Sequence, residues 1–395
     1  MARRRKEETV EVTVSDGAPI DVGKLVRSFI KTFNKDGEDK VAWNLAYDED
    51  NPTDVKEFIS TGSTLLDYCI SNRRDGGVPA GKLTEISGEE ASGKSLICAH
   101  LVANVQKKGG IAVYIDTENA ANPSFMEQVG VDLKNLVYLQ PGTIENVFEH
   151  ISKCISMARA KDVKCPVLII WDSVAATPPA AELEGNFDPT NSIGLMARTI
   201  SKGLRMLTDS VGKDRVTLVF TNQLRTKIGV SYGDPLTTPG GKAIPFCASV
   251  RIRLSQSTKL KDTGDGTEVD GIKTLAKCIK TRLGPPHRRC YFDIRFDKGI
   301  DDIGSWFTVL HESKKIEKRG GWCVMANVPG HEGELKFRES GWHNVLAADQ
   351  SLSDHVRDLI EGEMVVRYGT TPKDAAIDPE SLMDVESVVE EETAA

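Results

Sequence analysis

The chain has 395 residues, 39% hydrophobic and 27% charged, enough to bury a sizeable core as one large domain with appendages. No apolar run approaches the roughly 20 residues of a membrane helix, and polar EVTVSDGAP follows the basic MARRRKEE where a signal-peptide core would lie; the expectation is a cytoplasmic protein with no membrane partner. The net charge of −8 sits entirely in residues 374–395, which hold eight acids and no Lys or Arg, so it does not exclude a nucleic-acid partner for the neutral remainder.

In chain order, GKLVRSFIKTF places Leu25, Val26, Phe29, Ile30 and Phe33 on one face of a helix. That stripe needs a partner, either the protein's own core or a neighbouring subunit. The polar DEDNPTD that follows reads as a linker, so residues 1–55 form an N-terminal helix and linker for subunit contact. From residue 82 to 222, apolar runs (KLTEIS, IAVYID, LVYLQ, PVLIIWD, VTLVFTN) alternate with the helical stretches SLICAHLVANVQKK, IENVFEHISKCISMARA and IGLMARTISKGLRMLTDS. This predicts an α/β fold with a mostly parallel central sheet covered by helices on both faces. ASVRIRLSQ, TLAKCIKTR and RCYFDIRF are expected to extend the sheet in antiparallel fashion, closing a core at 56–301. Residues 302–372 read as a small α+β C-terminal domain and 373–395 as an acidic disordered tail, either a solubiliser or a polyanion mimic that competes for a basic surface. The eight cysteines never fall at C-x-x-C spacing and sit mostly in apolar surroundings, the pattern of reduced core thiols rather than disulfides or zinc ligands.

The chemistry begins at Gly88-Glu89-Glu90-Ala91-Ser92-Gly93-Lys94-Ser95, which matches G-x-x-x-x-G-K-[ST] between a strand and a helix. In such a loop backbone N–H groups curl round phosphates, Lys94 reaches the β and γ oxygens, and Ser95 offers a Mg²⁺ ligand; a merely structural glycine turn is the plain alternative. Asp172, closing PVLIIWD, could hold the magnesium shell or cap the following helix. Asp116 and Glu118 fall on one side of a strand if it stays extended. Glu118, further out, is assigned as general base, with a solvated carboxylate as the alternative. Gln223 stands at the root of TNQLRTKIGVSYGDPLTTPGGK, about twenty residues without a clear period, placed for its amide to contact the γ-phosphate and relay its presence outward. So long a loop either binds something or is a lid.

With these residues assembled, the chain resembles the RecA family of homologous-recombination ATPases. The resemblance runs over roughly residues 60–300 through STGSTLLD, GEEASGKS, YIDTENAANPSF, DSVAATPPAAELEG, GLMAR, FTNQLRTKIGV, TTPGGKAIPF and KCIKTR, and weakly to about residue 370. It implies a RecA-like P-loop core that splits ATP with Mg²⁺ in a DNA-dependent manner. Glu118 would be the catalytic glutamate and Phe125 would lie against adenine, with Asn122 near the base where bacterial members carry aspartate. Gln223 would sense the γ-phosphate. Loops 184–193 and 224–242 would bind DNA, the second through Arg225, Lys227, Ile228, Gly229, Val230, Gly240, Gly241 and Lys242, with Arg198 just behind the first. Lys280 and Arg282 would reach the ATP of the adjacent subunit, although Arg282 stands where lysine is usual and offers a planar fork in place of a point charge. The first loop is one residue longer than usual, with Phe187 near its tip.

The implied function is a recombinase that forms a homo-oligomeric helical filament on single-stranded DNA and pairs it with homologous double-stranded DNA in recombination and repair. Single-strand-binding and mediator proteins would be further partners. A ring-forming helicase and a regulatory ATPase acting on a protein are the competing readings. Arg225 and Lys227 before the TTPGGK run favour DNA over the regulatory ATPase, and the family match favours a filament over a ring.

Overall fold

The computed structural model describes residues 22–34, 40–48, 55–161, 163–184, 194–213, 216–226, 234–261, 268–331 and 333–366. At its centre lie nine strands: β1 (Leu83–Gly88), β2 (Ile111–Asp116), β3 (Leu136–Leu139), β4 (Val167–Asp172), β5 (Val216–Gln223), β6 (Val250–Lys261), β7 (Val269–Thr281), β8 (Arg289–Arg295) and β9 (Gly299–Asp301). They form one sheet in the order β9-β8-β7-β6-β1-β5-β4-β2-β3. The six strands from β6 to β3 in that order pair in parallel, and β7, β8 and β9 continue antiparallel beyond β6.

The α/β class and the mostly parallel sheet are as the sequence predicts. One run differs from expectation: β6 pairs in parallel with β1, Val250 opposite Thr84 through Leu254 opposite Gly88, so the antiparallel extension begins only at β7. Alternation within a strand is the same for either direction, and only the chain's return from β5 across the sheet decides it.

The sheet is buried on both faces. In β4, Leu168 and Ile170 join one apolar cluster while Val167, Ile169 and Trp171 join the other, the two-residue period of a strand. Helices α2 (Thr64–Ser71) and α3 (Lys94–Lys107), together with Met126 of α4 (Pro123–Gln128), cover the first face; α5 (Ile144–Ala160) and α6 (Leu195–Lys213) cover the second. Trp171 is fully buried between Phe148 and Phe220, edge-to-face at 5.6 Å and 5.1 Å.

The C-terminal elements are α7 (Asp302–Glu312), an antiparallel sheet of β10 (Ile316–Arg319), β11 (Trp322–Met325) and β12 (Leu335–Phe337), a short helix at Trp342–Ala348, and α8 (Gln350–Met364). Their Trp306, Phe307, Met325, Trp342 and Val356 belong to the same apolar cluster as α2 and α3, and the Thr64 backbone N–H donates to Asp302 at 2.8 Å. By contrast α1 (Val22–Phe33) buries no residue, and Leu25, Val26, Phe29 and Phe33 are all exposed. Of the two partners its stripe could have, the protein's own core is not the one seen among the described residues. No described helix is long and apolar enough to cross a membrane, none of the eight cysteines is in a disulfide, and the acidic tail lies outside the described residues.

Candidate active site

Register fixes where the site forms. Gly88 lies opposite Gln223 and Asp116 opposite Asp172, so the carboxyl ends of β1, β5, β4 and β2 open side by side at one edge of the sheet, where ligands of open α/β sheets bind. A cleft of about 630 Å³ opens there, lined by Gly88, Glu89, Glu90, Ala91, Ser92, Gly93, Lys94 and Ser95 together with Glu118, Phe125 and Gln223. Its size suits a nucleotide.

The loop is held in its curl by its own atoms. Ser92 Oγ donates to the Glu89 carbonyl at 2.8 Å, and Gly93 takes φ 97° immediately before α3, where a Cβ would stand 2.6 Å from Ile294 Cδ1. Only glycine fits that position. Lys94 Nζ folds back onto the Glu89 and Gly88 carbonyls at 2.7 and 3.2 Å. Burial lowers its pKa, and the nearby carboxylates of Asp172 and Glu118 oppose that shift. Ser95 is exposed at the first turn of α3.

Asp116 and Glu118 part company. The strand stops at Asp116, which is buried and accepts the backbone N–H groups of Glu118 and Ala121, each at 3.0 Å; the turn so formed carries Glu118 into the cleft. The extended geometry that would align the two does not persist, because a carboxylate turn competes with the strand. Ser173 donates its hydroxyl to Glu118 Oε1.

Asp172 is buried, with Tyr114 donating its phenol to Oδ2 at 2.6 Å and Thr221 its hydroxyl to Oδ1. It caps no helix: Ser173 precedes the short turn at Val174–Ala176. The Asn122 side chain caps α4 by accepting the Phe125 N–H, and it is not among the residues lining the cleft. Phe125 is, facing Ile272 of β7, Ile294 of β8 and Phe296 across an apolar wall. Ile272 and Ile294 come from strands and Phe296 from the turn after β8, all far along the chain, and nothing local in the sequence marks them.

Beyond Gln223 the long loop is less irregular than its sequence. Arg225 and Thr226 pair antiparallel with Thr237 and Leu236, and Asp234 bonds Arg253 at 2.6 Å, so the loop stands on a short hairpin. Its exit at Gly240 and Gly241 packs on α6, where added Cβ atoms would meet Ile200 Cδ1 at 2.9 Å and Ala197 Cβ at 2.8 Å. That contact brings Gly240, Gly241 and Lys242 beside exposed Arg198, whose N–H bonds the Gly194 carbonyl at 3.0 Å. Lys227, Ile228, Gly229 and Val230 lie outside the described residues, as do 185–193 of the first loop, including Phe187. At the foot of the loop a buried network, missed in the sequence, ties Asn222 to the Pro239 carbonyl at 3.1 Å and to Glu85 Oε1 at 3.1 Å, with Arg251 on Glu85 Oε2 at 2.6 Å.

Lys280 and Arg282 do not line this cleft. Lys280 Nζ donates to the Pro245 and Phe246 carbonyls at 2.8 and 3.0 Å, and Arg282 lines a separate cleft of about 380 Å³ with Lys82 and Leu207. Burial first, then Arg282 and Arg251, lower the Lys280 pKa.

A family model described as RecA N-terminal domain matches residues 26–301. The Protein RecA of Chloroherpeton thalassium (strain ATCC 35110 / GB-78) is 37% identical over 307 residues, 78% of this chain and 81% of its own. That of Trichormus variabilis (strain ATCC 29413 / PCC 7937) is 40% identical over 329 residues, 82% and 87% of the two chains. That of Synechococcus elongatus (strain ATCC 33912 / PCC 7942 / FACHB-805) reaches 41% over 266 residues, 67% and 71%. Phosphate loop, carboxylate turn and family match coincide on the same core, and the chain belongs to the RecA family of homologous-recombination ATPases.

Proposed function

We propose that this recombinase binds ATP in the cleft at the carboxyl ends of β1, β5, β4 and β2 and couples its hydrolysis to a DNA-bound filament. One observation carries the reading: Lys94, Glu118 and Gln223 line a single cleft, and Gln223 opens directly into the loop that bears Arg225. Triphosphate oxygens replace the loop carbonyls now holding Lys94, giving its partly buried ammonium the charge partner it lacks. Glu118, held through Oε1 by Ser173, takes the proton of the attacking water. Phe125 and the Ile272–Ile294–Phe296 wall take the base.

The donor set fits magnesium as well. Among the described residues no group of three His, Cys, Asp or Glu is placed to hold a metal ion, but magnesium bound to a nucleotide needs only phosphate oxygens, water and a hydroxyl. Ser95 would supply that hydroxyl, and Asp172, with both oxygens already accepting hydrogen bonds, would act through a water. The ion would neutralise charge developing on the phosphates.

In the filament, Lys280 and Arg282, remote from their own cleft, reach the ATP of the next subunit, and the exposed face of α1 packs on a neighbour. Arg198, Arg225, Lys227, Ile228, Gly229, Val230, Gly240, Gly241 and Lys242 meet the single strand, which is then paired with homologous duplex. The relatives over about four fifths of the chain favour this over a ring helicase. Glu118→Gln is expected to slow hydrolysis about 10²-fold to 10⁴-fold while ATP-dependent DNA binding persists. Loss of both in equal measure would refute the base assignment, and closed rings instead of filaments in micrographs with DNA and a slowly hydrolysed ATP analogue would refute the assembly.

A further inference from the structure

The turn that delivers Glu118 is braced by more than its own backbone. Asp116 accepts the N–H of Glu118 and of Ala121, each at 3.0 Å, and its Oδ2 also accepts the Tyr138 hydroxyl at 2.7 Å. Gln140, two residues beyond Tyr138, donates through Nε2 both to that phenol oxygen at 3.0 Å and to Asn119 Oδ1 at 2.8 Å. Asn119 is the residue of the turn with positive φ, 55°. Tyr138 belongs to β3, the edge strand, and stacks on Tyr114 of β2 at 6.4 Å, so the brace is anchored to the sheet.

Beside the bonds of Thr117 to the Asp172 and Ser173 carbonyls and of Ser173 to Glu118, residues 117 to 121 are therefore gripped from β2 and β3: two backbone N–H groups by Asp116, and the side chain of Asn119 by Gln140. A turn with a left-handed residue is held only where its surroundings over-determine it. Asp116 is buried and is not among the residues lining the cleft.

We propose that Asp116, Tyr138 and Gln140 are positioning residues for the Glu118 carboxylate, the edge strand fixing its distance from the attacking water. This rests on Glu118 being the general base. Misplacing a catalytic group by about 1 Å can cost about 10²-fold in rate.

The experiment measures DNA-stimulated ATP hydrolysis, and binding of a slowly hydrolysed ATP analogue, for Tyr138→Phe, Gln140→Ala and Asp116→Ala, each alone and combined with Glu118→Gln. Tyr138→Phe loses two hydrogen bonds at a half-exposed site, one to Asp116 and one from Gln140, and is expected to lower kcat at least about 5-fold, the rate equivalent of one ordinary hydrogen bond. Asp116→Ala is expected to cost more, up to about 10²-fold. KM for ATP and analogue binding should stay within about 2-fold, and in the Glu118→Gln background the same substitutions should change nothing further. Parental kcat in Tyr138→Phe and Gln140→Ala, or equal additional losses in the Glu118→Gln background, would overturn the proposal while leaving Glu118 in place. Parental turnover in Glu118→Gln itself would instead remove the base on which it rests.

Discussion

Lys94 illustrates how one side chain serves two states. Its ammonium bonds two loop carbonyls, a weak exchange for water, and burial has already moved its pKa down. On the proposed reading a polyphosphate repairs this, so Lys94→Ala is expected to abolish measurable ATP hydrolysis while leaving the circular dichroism spectrum and melting temperature close to those of the parent. Asp67 offers a residue-scale prediction on stability. Burial raises its pKa to about 7, against hydrogen bonds from Ser60 and Thr61 that pull the other way. The folded state then keeps a proton that the unfolded chain releases near its ordinary value of 3.8, so Asp67 makes the fold lose stability as pH rises from about 4 to about 7, and adds no slope above that. Asp67→Asn keeps the acceptor oxygen and removes the titration. Urea unfolding should show the parent losing ground to this variant on the order of 1 kcal/mol per pH unit within that window. His100, whose pKa burial lowers to about 4, contributes with the opposite sign, and is common to both proteins.

Among the elements, α1 and β4 mark two extremes. Strand β4 is apolar at nearly every position because both of its faces are covered, and a short run such as VLIIW, rich in β-branched residues, reads as a buried strand. Helix α1 is equally legible as amphipathic, but among the described residues its apolar face buries no side chain, Ile30 being only partly covered. Phe29 is 56% exposed, so Phe29→Ser is expected to leave the thermal midpoint of the dilute protein unchanged and to weaken filament formation at least tenfold, as read by light scattering or sedimentation with DNA and ATP analogue. A fall in the midpoint without a change in assembly would assign the face to the protein's own core. The turn after β2 lies between these extremes. Asp116 and Glu118 look equivalent by spacing, and only the hydrogen bonds to the Glu118 and Ala121 N–H groups separate the brace from the carboxylate it presents.

For the whole molecule, charge is distributed so that residues 1–373 sum to zero and the last 22 residues carry the excess of eight negative charges. If that segment competes with DNA for the basic loops, removing residues 374–395 should tighten single-stranded DNA binding and change the slope of affinity against salt; titrations at several salt concentrations that superimpose on the parent's would show that it does not compete. The sequence by itself determined the strands and helices of the core, the phosphate loop and the order of the motifs, because each depends on neighbours within a few residues: a strand's two-residue period, a helix's apolar stripe, a glycine beside a lysine. The tertiary structure decided the rest. It set the parallel entry of β6 beside β1, the wall that Ile272, Ile294 and Phe296 build opposite Phe125, the packing of Gly240 and Gly241 on α6 next to Arg198, and the separation of Lys280 and Arg282 from their own cleft. Each of these is a contact between residues tens to hundreds of positions apart. Local propensity carries no term for such pairs, and only the closing of one sheet around a common core fixes them.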